Sequence, residues 1–134
     1  MALGFVITVD TNILVRYVLQ DDPVHGALAS IFLEERLSEQ NPGLITVVSL
    51  LEFSWLLRRT FGQSTARVAD IIRTFLNASN LVIERRDMVT LALDMEGGFA
   101  DALLHLSGLQ AGAAGTITFD KKFARIDGVE LLDG

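Results

Sequence analysis

Phe5-Val6-Ile7-Thr8-Val9-Asp10-Thr11-Asn12-Ile13-Leu14 is the stretch on which the reading of this chain turns. Phe5 to Val9 is a continuous apolar run, which marks a strand buried on both faces rather than an alternating surface strand. It stops at a carboxylate, and Asn12 to Leu19 follow as a short helix. Thr116-Ile117-Thr118-Phe119-Asp120 repeats the pattern near the other end of the chain. Functional groups of a parallel sheet gather outside the carboxyl ends of its strands, where Asp10 and Asp120 both fall.

The segments between these two stretches alternate. Asp22-Pro23 reads as a cap and a first-turn proline, opening a helix to about Glu39 that Asn41-Pro42-Gly43 stops. Leu44 to Thr46 is a short strand, and Val47 to Thr60 an apolar helix closed by Gly62. Ser64 caps a helix to about Ala78, and Leu81 to Ile83 is a third strand. Asp87 to Glu96 is helical, Gly97-Gly98 a break, and Ala100 to about Gln110 helical again. Lys121 to Arg125 makes a turn or short helix, and Val129 to Leu132 a last strand. Strands alternating with helices predict an α/β fold around a mainly parallel sheet.

The 134 residues are half hydrophobic and 21% charged, which argues for one globular domain and against disorder. The absence of cysteine removes disulfides and thiolate metal sites, and two histidines argue against structural zinc. Met1 to Val9 has no basic segment and is too short for a signal peptide, and no stretch is built as a bilayer span. The expected setting is cytoplasmic, without a membrane. A net charge of −6 disfavours a nucleic-acid partner at face value. Setting four acids aside as metal ligands lowers Asp+Glu from 17 to 13 against 11 Lys+Arg, so placement of the acids decides the matter.

Four acids stand in apolar company: Asp10, Glu52, Asp101 and Asp120. Asp10, Asp101 and Asp120 each precede or open a helical segment, so each is also explained as an N-cap or first-turn acid. Glu52 is mid-helix, with Val48, Trp55 and Leu56 at i−4, i+3 and i+4. A carboxylate buried there must pair, bind metal or take up a proton. Arg59 lies about 10 Å further along the axis, so the pairing candidate is a distant base. Carboxylates that converge repel unless a cation neutralises them, and hard oxygen ligands suit Mg²⁺ or Mn²⁺. Such a site activates water and stabilises a phosphoryl group under attack, which makes phosphodiester hydrolysis the first reaction class to consider.

Val9-Asp10-Thr11-Asn12-Ile13-Leu14, the Glu52 helix, Phe99-Ala100-Asp101-Ala102-Leu103 and Thr116-Ile117-Thr118-Phe119-Asp120 together resemble the PIN domain. Their order and spacing, from about Val6 to Leu131, are most similar to VapC-type toxin ribonucleases. The resemblance implies a single domain over residues 1–134 with a three-layer α/β/α sandwich. It implies Asp10, Glu52, Asp101 and Asp120 as catalytic, metal-holding acids, Asn12 orienting the first of them, and Thr118 lining the site. It also implies Mg²⁺- or Mn²⁺-dependent endoribonuclease cleavage of RNA, a homodimer, and a small cognate antitoxin. Many relatives carry an acid where this chain has Gly98. Asp94 and Glu96 are off register, so one metal or two stays open.

Arg59, Lys121 and Lys122 are candidates for RNA phosphate contacts, with Arg125 nearby; a solvated charged face explains them equally well. His105 could share a helix face with Asp101 but reads better as a core or helix-face histidine, and His25 as a surface residue. Trp55, Phe53 and the neighbouring leucines read as core or a dimer surface. Gly108, Gly112 and Gly115 match no phosphate loop. Three other functions compete. A receiver-like signalling domain needs adjacent acids after the first strand, whereas Val9 and Thr11 flank Asp10. A catalytically silent metal-binding module fits the missing acid at Gly98. An aspartyl phosphatase wants Asp-x-Asp, and the second position is Asn12.

Overall fold

The structure, a computed structural model, describes residues 6–133 and divides between Glu84 and Arg85 into two compact units. The first unit holds β1 (Ile7–Thr8), α1 (Thr11–Leu19), α2 (Pro23–Ile31), a π-helical turn (Phe32–Arg36), β2 (Gly43–Ile45), α3 (Val47–Arg59), α4 (Thr65–Asn77) and β3 (Leu81–Ile83). Its strands form one parallel sheet in the order β1-β2-β3, with Ile7 opposite Gly43 and Gly43 opposite Leu81.

Local chemistry sets the helix starts. The Asp22 carboxylate accepts from the N–H groups of Val24 and His25, with Pro23 at the first helical position. The Thr46 and Ser64 hydroxyls accept from the Ser49 and Arg67 N–H groups and so cap α3 and α4. Gly62, at φ +64°, ends α3 by letting Gln63 N–H reach back to the Leu57 carbonyl. The second helix stops earlier than its sequence predicts. The chain leaves the π turn at Leu37, which turns extended and buries its side chain.

The core of this unit lies along one stripe of α3, where Leu50, Phe53 and Leu57 are fully buried at i, i+3 and i+7. Phe53 packs on Phe75 of α4, ring centroids 5.5 Å apart and tilted by 52°. Burial on both faces of β1 does not hold. Ile7 and Thr8 are exposed and only Val9 is buried, and β1 stands at the end of the order β1-β2-β3; Phe5 lies outside the described residues.

The second unit holds α5 (Arg86–Asp94), α6 (Phe99–Gln110), β4 (Thr116–Thr118), a 3₁₀ turn (Phe123–Arg125) and β5 (Val129–Leu131). α5 and α6 pack together, burying Met88, Val89 and Ala92 from one and Phe99, Ala102 and Leu103 from the other. β4 and β5 pair in parallel, with Thr116 opposite Val129. β4 ends one residue sooner than expected, and Phe119 is 81% exposed. The α/β reading stands: helices and strands alternate and every strand pairing among the described residues is parallel. No helix among them is long and apolar enough to cross a membrane.

Two measurements probe these features. A Cβ at Gly43 would lie 2.8 Å from Leu37 Cδ1 and 2.8 Å from Val9 Cγ2, so Gly43→Ala should destabilise by about 1–3 kcal/mol in urea unfolding. The His25 N–H, foremost, holds the Asp22 carboxyl below its ordinary value of 3.8, helped by the His25 charge and the Val24 N–H and opposed by desolvation. The cap is therefore complete above pH 3.8 and fades as pH falls through the lower folded value. Asp22→Asn, which caps without titrating, should flatten that acid limb in melts from about pH 2 to 5.

Candidate functional site

Asp10 occupies the N-cap of α1 in extended conformation, at φ −68° and ψ 147°. Its backbone carbonyl accepts from Ile13 N–H at 3.0 Å, yet its side chain makes no capping hydrogen bond. The carboxylate is exposed at the positive end of a helix and spends neither oxygen on the backbone. Asn12 is exposed in the first turn of the same helix, and Thr11 between them is buried.

Glu52 departs from its expected setting. The stripe of buried residues on α3 leaves Glu52 on the opposite side, exposed, beside Val48 at 75% and Trp55 at 53% exposure. Its apolar neighbours in sequence face solvent themselves, so no burial penalty compels a partner. Trp55 is accordingly not core, although Phe53 is. Arg59 lays its guanidinium over the Trp55 ring, 4.9 Å from the centroid. Neither Glu52 nor Arg59 takes part in an ion pair among the described residues. α1 and α3 pack against each other, so the helices carrying Asp10 and Glu52 are neighbours.

In the second unit Gly98 is the N-cap of α6 and Asp101 its third residue, partly buried within the first turn. The helix dipole favours a carboxylate there. Asp120 is both strand-end acid and cap. Its Oδ1 accepts from Lys122 N–H at 2.8 Å and Phe123 N–H at 3.4 Å, starting the 3₁₀ turn. Its own N–H donates to Thr118 Oγ1 at 3.0 Å. Both turn bonds fall on Oδ1, which orients the carboxylate while Oδ2 accepts neither. Lys121, Lys122 and Arg125 are exposed along this turn. His105 is 2% exposed and hydrogen-bonds Thr116, as a core histidine does, whereas His25 is exposed.

Carboxylate oxygens are the donors a hard divalent cation takes, and two acids keep such oxygens clear of the backbone: Asp10 in the first unit and, through Oδ2, Asp120 in the second. Within neither unit do three or more Asp, Glu or His side chains, among the described residues, gather into a group able to hold a metal. Glu84 has a part that nothing in the sequence around it marks. Its Oε1 accepts from Val47 N–H at 2.8 Å, satisfying the first turn of the Glu52 helix from 37 residues away. No local pattern marks such a bond, because its two ends meet only when β3 pairs with β2.

Among solved structures the chain is similar to the Mycobacterium tuberculosis toxin VapC20, which cleaves the Sarcin-Ricin loop. The identity is 20%, the match covers 95% of this chain and 99% of that one, and the TM-score is 0.43. It is also similar to VapBC2 from Rickettsia felis, bound to a DNA fragment from its promoter, at 17% identity, covering 96% and 98%, with a TM-score of 0.38. No curated protein matches the chain. The PIN-domain family model matches residues 7–129, a span that includes Asp10, Glu52, Asp101 and Asp120, and this chain therefore belongs to the PIN-domain family.

Proposed function

We propose that this chain is an endoribonuclease that hydrolyses RNA phosphodiester bonds with Mg²⁺ or Mn²⁺, and that it is the toxin of a toxin–antitoxin pair. Asp10, Glu52, Asp101 and Asp120 are the metal-holding, catalytic carboxylates of this reading. What supports it most is the family match, which runs through all four acids in order. The second support is Asp10, a cap position whose side chain does no capping and so stays available as a ligand.

Asp10, Glu52, Asp101 and Asp120 would hold the divalent cation, which would supply an activated water at neutral pH and offset charge on the phosphoryl group. The chain's own groups do the positioning. Asp120 is oriented by the two N–H groups on its Oδ1 and by Thr118, whose hydroxyl takes the Asp120 N–H. Asn12, two residues after Asp10, orients the first carboxylate or a water. Lys121, Lys122 and Arg59 meet RNA phosphates, adding the positive charge that a net −6 chain must concentrate locally. The protein works in the cytoplasm as a single PIN domain and a homodimer. A small cognate antitoxin holds it inactive by bringing basic residues to the acids.

Asp10→Asn and Asp101→Asn should each lower Mn²⁺-dependent cleavage of a mixed RNA panel by at least about a hundredfold, as loss of a charge-stabilising group does. Equal cleavage by both variants and wild type defeats the reading. Without metal, Asp10→Asn should hold its stability to within about 0.5 kcal/mol, since the side chain caps nothing. At a hundredfold excess over its dissociation constant, Mn²⁺ should stabilise wild type by about 2.7 kcal/mol. A melt should register that as a rise of about 10 °C that largely vanishes in Glu52→Gln. Stabilisation without turnover on any RNA would instead favour the silent metal-binding module.

A further inference from the structure

In the second unit His105 joins α6 to β4. His105 is one helical turn beyond Asp101 on α6 and is 2% exposed. Its Nδ1 lies 2.8 Å from Thr116 Oγ1, at the start of the strand that leads through Thr118 to Asp120. The far edge of the imidazole meets Gly128, at φ +88°, where an added Cβ would come within 3.2 Å of Cε1 and 3.3 Å of Nε2. The Gly128 carbonyl in turn accepts from Thr116 N–H at 3.1 Å, just before the β4–β5 ladder begins. One buried ring thus touches the helix, the first strand residue and the turn into β5.

We propose that His105 is a positioning residue: its hydrogen bond to Thr116 sets the placement of β4, and with it Thr118 and Asp120, against the helix that carries Asp101. Packing alone does not account for a histidine here. An aliphatic side chain would fill the space between helix and turn, but it would leave Thr116 Oγ1 without this bond. The bond is directional, so it fixes strand register where apolar contact would allow sliding. The consequence for metal binding rests on the carboxylate reading of Asp101 and Asp120 above; the joint itself does not.

Thr116→Val removes the hydroxyl at constant shape and suits a strand, and Thr116→Ser restores it. Two readouts separate the joint from the site. In native-state hydrogen exchange, Thr116→Val should speed exchange of the Ile117 to Leu132 amides by about three- to tenfold, the size of one net hydrogen bond. Thr116→Ser should stay near wild type, and the α5 amides should not change. In calorimetric titration at a temperature where all variants are folded, Thr116→Val should weaken Mn²⁺ binding by a similar factor, with Thr116→Ser rescuing it. A general loss of packing would lower stability without moving metal affinity. Unchanged exchange in Thr116→Val overturns the joint. Faster exchange with unchanged Mn²⁺ affinity overturns its role in placing the carboxylates. If wild type binds no Mn²⁺, the metal-site reading fails on its own, and exchange decides the joint.

Discussion

The first unit depends on how closely its strands and its helix exit approach one another at Gly43. β2 is the middle strand, so Gly43 must pair with Ile7 on one side and Leu81 on the other. Val9 and Leu37 press in on the hydrogen that replaces its side chain. That contact buries the residue immediately before Asp10, and Val9 N–H donates to the Leu44 carbonyl beside it. The strand-end carboxylate is therefore held by packing one residue upstream, not by bonds of its own. Asp10 thus keeps both carboxylate oxygens off the backbone, whereas Asp120 commits only Oδ1 and is oriented by doing so.

Identical residue types do different work here, and hydrogen-bond geometry tells them apart. Asp22 and Asp120 use a single oxygen each to gather two backbone N–H groups at the start of a helical turn. Asp10 holds the same kind of position with its carbonyl only. Glu84 reaches across from β3 to serve the first turn of α3. An acid before a helix is thus no single signal. What separates Asp10 from the capping residues is the side chain's own direction, since its backbone, at φ −68° and ψ 147°, matches that of the capping Ser64 at φ −72° and ψ 158°.

α3 shows how a single helix divides its tasks. Leu50, Phe53 and Leu57 form the buried stripe, and Glu52, Trp55 and Arg59 share the solvent side with Val48. Glu52 is therefore exposed, with no burial to force a partner on it. The PIN-domain match runs through this helix as well. The stacked Trp55 and Arg59 keep an aromatic ring and a cation together on that face, where the ring shields part of the guanidinium.

The amino-acid order by itself determined most of the elements. Ser64, Thr46, Asp22-Pro23 and Gly62 act through groups within five residues of themselves, and so do the acids that follow β1 and β4. Periods of 3.6 and the apolar runs carried the helices and the parallel strands for the same reason: both are properties of neighbouring residues. Motif order was enough to point to the PIN family. Tertiary structure alone decided which side of α3 is buried, because a helix rich in apolar residues on every side has no unique wheel until Phe75 covers one stripe. It alone decided that the helix after Pro23 ends at Leu37, since the driving contact is with Gly43, and that β1 stands at the end of the order β1-β2-β3. His105 was legible as a core residue, but its bond to Thr116 was not. That bond, like the Glu84 bond to Val47, joins groups that only the fold brings within reach.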